Sequence, residues 1–113
     1  MRYRELADAI RRGAKMRPRG FGAFPAQLES GTSCALLAAI EGLYGWPKSY
    51  GHLAHLRPYD LPMAKEIVTR NDARGMTREQ IADWLDSLEE PGESDSDWAK
   101  RKVAEVTRVK EAA

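Results

Sequence analysis

At 113 residues, with 42% hydrophobic and 31% charged residues, the chain has the length and composition of one soluble globular domain, neither disordered nor membrane-embedded. A single cysteine excludes a disulfide framework and a multi-cysteine zinc site. A net charge of +1 excludes a uniformly basic nucleic-acid binder.

Tyr3, Leu6, Ala7, Ile10 and Ala14 recur at helical spacing, with arginines on the other face, which predicts a first helix near 2–16. The stretch Arg17–Pro25 carries Pro18, Gly20, Gly22 and Pro25 and reads as a Gly/Pro-rich loop, with Phe21 and Phe24 anchored in the core. Residues 32–44 form a second helix in which only Glu41 is charged, so it is expected to be central and buried on most sides. Thr32 or Ser33 caps it, Ala35, Ala38 and Ala39 let neighbours approach closely, and Gly45 and Pro47 stop it.

A short amphipathic turn or helix follows over 49–56, ended by Arg57-Pro58. Asp60 then caps a third long helix with Pro62 in its first turn and Ala64, Ile67, Val68 and Asn71 on one stripe, closed by Gly75. Thr77 and Gln80 make a capping box, Met76 and Ile81 a hydrophobic staple, and the helix runs on through Trp84, Leu85 and Leu88 until Pro91-Gly92. The last helix starts at Ser94 or Ser96, turns Trp98, Val103, Val106 and Val109 to the core, and frays at its Lys- and Ala-rich end. Nothing alternates like a strand. The expected fold is therefore all-α, a compact bundle of about five helices with a Gly/Pro-rich loop after the first, in one domain over 1–113. The 94–113 helix is expected to be peripheral or to mediate self-association.

The near-neutral total hides a segregated layout. Residues 1–19 sum to +5, residues 20–78 to +1, residues 79–97 to −8 and residues 98–113 to +3. Opposed segments of this kind serve folding contacts, self-association or partner steering. Arg11, Arg12, Arg17 and Arg19, with the neighbouring aromatics, are candidates for a nucleic-acid surface. The Thr77–Leu85 helix resembles the opening of a helix-turn-helix, yet acids stand where a recognition helix would begin, and they repel phosphate.

Three further groups carry chemistry by residue type. Cys34 opens the second helix, whose positive end would favour a thiolate. His52 and His55, three apart, fall short of a zinc set on their own, and no metal or other cofactor is expected. Asn71 lies on an apolar stripe and Asp72 near a helix C-terminus, so both need partners. Asn71, Asp72 and Cys34 together are the candidate polar site.

The Gly31-Thr-Ser-Cys34-Ala-Leu helix, followed by Asn71-Asp72 and Thr77-Arg-Glu-Gln-Ile-Ala-Asp-Trp-Leu85, resembles small helical proteins of uncharacterised function among bacterial and phage hypothetical proteins. The resemblance rests on Cys34, Ala35, Leu36, Ala39, Asn71, Asp72, Thr77, Ile81, Ala82 and Trp84, and spans Leu6 to Glu89 without the last helix. It implies a shared fold and carries no activity. A glycine is usual at the position of Leu37, which implies different packing there.

These observations lead to the expectation of a cytoplasmic, non-enzymatic protein-interaction module or adaptor whose partner is a protein or a second copy in a homodimer. Nucleic acid is the alternative partner, and a thiol- or metal-dependent enzyme the third reading. No basic n-region with an apolar core marks a signal peptide, and no apolar run spans a bilayer, so no membrane is expected.

Overall fold

A computed structural model describes residues 2–56, 60–61, 63–89 and 92–112, apart from the side chains beyond Glu105. Among the described residues it is all-helical. There are seven helices where the sequence predicts about five: α1 (Tyr3–Ala14), α2 (Phe24–Ser30), α3 (Ala35–Tyr44), α4 (Tyr50–His55), α5 (Ala64–Asp72), α6 (Arg78–Ser87) and α7 (Asp95–Ala112). No helix in that set is long and apolar enough to cross a membrane.

The apolar stripe of α1 buries Leu6, Ala7, Ala9 and Ile10 completely. α3 is the central helix, with every residue from Ala35 to Glu41 buried. The two run antiparallel, since Gly13 lies against Ala38 and Ala9 against Gly42. A Cβ on Gly13 would overlap the Ala38 carbonyl, and one on Gly42 the Ala9 carbonyl. Only glycine allows backbones that close. α6 closes the other side of α1 with fully buried Ile81, Ala82 and Leu85, while α5 adds Ile67 and Asn71 against α3.

Several expectations are corrected. The irregular stretch after α1 is shorter than Arg17–Pro25, because α2 begins at Phe24. Pro25 sits in its first turn, where the missing N–H is no loss, and Gly31 ends it at φ 71°. Thr32 and Ser33 precede the cap of α3, which is Cys34: its Sγ accepts from Leu37 N at 3.4 Å. Asp60 does not cap α5. Met63, in the left-handed region at φ 63°, turns the chain into the helix at Ala64 with no side-chain cap. Phe24 is buried, but Phe21 is 53% exposed, and Val103 is 66% exposed and faces away from the core.

The capping box of α6 forms as predicted, with Gln80 N to Thr77 Oγ1 at 3.0 Å and Thr77 N to Gln80 Oε1 at 2.8 Å. Ser94 opens α7 by accepting from Asp97 N at 3.1 Å. The expected stops at Arg57-Pro58 and Pro91, the role of Pro62 and the burial of Val106 and Val109 lie outside the described residues, and the backbone expected to fray is helical to Ala112.

Candidate functional site

The structure brings Asn71, Asp72 and Cys34 to one place, where α5, the start of α3 and the loop after α1 meet. Asn71 is fully buried, and its amide is engaged at both ends. Its Oδ1 accepts from Ala35 N at 3.0 Å, and its Nδ2 donates to Gly20 O at 3.2 Å and to Asp72 Oδ1 at 2.8 Å. The first of these satisfies an orphan donor at the N-terminus of α3. Asp72 Oδ1 also accepts from Gly22 N at 3.5 Å. A polar residue on an apolar stripe thus closes three elements together, which is why it belongs there.

Cys34 adds its backbone to the same joint by donating to Gln27 Oε1 at 2.7 Å. Its thiol is buried, and desolvation pushes its pKa up more than the surrounding donors lower it. Burial thus opposes the thiolate that the helix start would favour. His52 Nδ1 accepts from Lys48 N at 3.1 Å, and His55 is exposed. Among the described residues, no group of three or more His, Cys, Asp or Glu side chains could hold a metal ion.

The polar joint acts on the loop between α1 and α2. Gly20 N donates to Ser33 O at 2.8 Å, and Ser33 N to Pro18 O at 2.9 Å. Gln27 Nε2 donates to Gly22 O at 2.9 Å. Gly20 leaves no room for a side chain, because a Cβ would come within 2.6 Å of Thr32 Oγ1. Residues 20 and 22 are thus tied on both sides of Phe21, whose ring carries the Arg19 guanidinium 4.5 Å from its centroid.

Arg11, Arg12, Arg17 and Arg19 each have a partner within the fold. Arg11 pairs with Asp83 at 2.8 Å and Asp86 at 2.6 Å, which raise its pKa. Arg12 Nε donates to Gly42 O at 3.3 Å. Arg17 pairs with the buried Glu41 at 2.8 Å and stacks on Trp46 with its guanidinium carbon 3.6 Å from the ring centroid. Arg19 donates to the carbonyls of Asn71 and Met76 at the end of α5 and the turn after it. Each is a fold contact. Through Arg11 with Asp83 and Asp86, and Arg2 with Glu89, Glu93 and Asp95, the basic 1–19 and acidic 79–97 segments meet within one chain.

Three buried polar residues escaped the sequence reading. Arg78 donates to Ser33 O, to Ser33 Oγ at 2.9 Å and to Ala14 O. Its charge thus rests on the carbonyl end of α1, and burial lowers its pKa. Gln27 ties Gly22 to Cys34, as above. Arg2 is 4% exposed and reaches Glu89, Glu93 and Asp95. Only the i, i+3 rule could have flagged Arg78, which shares the buried face of Ile81, Ala82 and Leu85. Comparison of the chain with protein-family models, with curated proteins and with solved structures finds no match.

Proposed function

We propose that the chain is a non-enzymatic protein-interaction module that works through the loop between α1 and α2. One observation carries the reading: the polar cluster of Asn71, Asp72 and Gln27 holds residues 20 and 22 in place, and the side chain between them stays outside. Loops that present side chains from a rigid scaffold are where binding concentrates. An ordered loop also loses less entropy when a partner docks. The thiol of Cys34, the nucleophile of the enzyme reading, is a buried helix cap.

Amine-directed cross-linking of the tagged full chain in its own cells tests this. Discrete adducts heavier than the chain are expected; the monomer band alone would refute the reading. Light scattering at about 50 mM and about 500 mM salt separates self-association from binding of another protein.

A further inference from the structure

α7 has two sides with different surroundings. Trp98, Arg101 and Lys102 lie toward the body, where they meet Arg2, Glu89 and Tyr3. At 3.6 residues per turn, Ser96, Ala99, Lys100, Val103 and Ala104 fall on the other side, where they line an open, mostly apolar groove. All five are exposed, and Val103 is more exposed than Met16, Phe21, Tyr44 or Tyr50. Asp97 and Lys100 are also exposed and form no ion pair among the described residues.

Val103, Val106, Thr107 and Val109 are β-branched and weak helix formers, and a helix in water draws most of its stability from packing. The order of the charges identifies the neighbour. Laid antiparallel against its own sequence, centred between Lys102 and Val103, α7 sets Asp95 against Lys110, Asp97 against Arg108 and Lys100 against Glu105. No like charges are opposed anywhere from Ser94 to Glu111. Laid parallel and in register, every charge would meet its own kind. Asp95 and Glu105, although paired with Arg2 and Arg101, keep 86% and 42% of their side chains exposed, which leaves room for a second partner. Ala99 and Ala104 are small enough for two helices to approach closely along the groove.

We infer that the outer face of α7 is a self-association surface, on which two copies of the chain pair their α7 helices antiparallel about a two-fold axis beside Val103. The same patch serves both copies, so the assembly closes as a dimer. This surface is separate from the loop between α1 and α2 and does not depend on that loop binding a partner.

Sedimentation of the full chain tests the pairing. A reversible monomer–dimer equilibrium is expected at about 50 mM salt, shifted toward monomer at about 500 mM. Monomer alone up to about 1 mM chain overturns the proposal. Val103→Asp brings two like charges together at the axis and should weaken the dimer about tenfold or more, with helix content retained by circular dichroism. An unchanged dimer overturns the proposal, and if that variant loses helix the charge exchange decides. Asp97→Arg and Arg108→Asp should each weaken dimerisation about fivefold, and both changes in one chain should restore it to within about twofold. No restoration overturns the register. Orientation is read by disulfide trapping, with Cys34 buried and out of reach. Oxidised glutathione should link Val103→Cys chains to each other and leave Ser96→Cys chains single. Links at both positions mark a parallel pair and links at neither mark no pairing along this face; either overturns the proposal.

Discussion

Where α1 crosses α3, Gly13 lies against Ala38 and Ala9 against Gly42, with no side chain between the backbones. Where α7 meets the rest of the chain, the contacts are charged and aromatic. Arg2 pairs with Glu89 at 3.2 Å and with Glu93 at 3.8 Å, and also reaches Asp95. Arg101 pairs with Glu93 at 3.0 Å and with Glu105 at 3.3 Å. Lys102 stands 5.0 Å from the Tyr3 ring centroid, and Arg2 stands 5.7 Å from that of Trp98. The first contact depends on shape and tolerates no added atom. The second depends on ionisation and partner geometry, so it should respond to pH and to single charge deletions while the core stays intact. The two helices are thus in different stability classes within one short chain.

The sharpest way to break this comparison is to add volume at the crossing. Gly13→Leu or Gly42→Leu should cost about 3 kcal/mol or more, because the backbones must separate. Urea titration reads the loss, and an unchanged midpoint would show that α1 and α3 are not in backbone contact. Next in size is Asn71→Leu, which leaves Ala35 N and Gly20 O without their partner. A loss of about 2 kcal/mol is expected, with faster amide exchange at Ala35. Retained protection at Ala35 would deny Asn71 its role in the joint.

At α7 the effect should be local. Arg2→Ala should speed tryptic cleavage after Lys100, Arg101 and Lys102 several-fold without moving exchange rates in α1, α3 and α6. Equal cleavage in both proteins would mean that the ionic cluster does not hold the helix. Acid should act the same way. The Arg101 hydrogen bond holds the Glu93 carboxyl below its ordinary range, and Arg2 and Lys102 add to this. A carboxyl depressed in the fold stabilises it above its unfolded pKa, and the contribution disappears as pH falls through the folded value. The Trp98 indole resonance should therefore shift toward its free position in acid before core resonances move.

The smallest effect at neutral pH concerns Cys34. Its thiol pKa is raised in the fold, so its contribution is complete below the ordinary thiol range and declines only as pH rises beyond it. Iodoacetamide should react with the native chain far more slowly than with the urea-unfolded chain. Equal rates would place the thiol at the surface.

How much of this was readable beforehand depended on range. The Thr77–Gln80 box spans three residues, and its geometry follows from the local chain alone. Asn71 could be marked as a polar residue that needs partners, because the stripe of α5 is local, but the partners Gly20 and Ala35 lie on other elements. The corrections share a cause. Met63 displaced the cap expected at Asp60 through a left-handed turn that propensity does not announce for methionine. Val103 has the residue type of a core position, yet it is exposed on α7.

Helix class, the box at α6, the glycine stop after α3 and the small-residue face of α3 were determined by the sequence, because each depends on spacings within a few turns. Only the tertiary structure decided which charges meet. Arg2 and Asp95 are 93 positions apart, and nothing short of the packed arrangement brings them together. The same holds for Phe21 and Phe24. Their chemistry is identical, and the hydrogen bonds of a distant asparagine, aspartate and glutamine determine how the loop turns and which ring stays in water.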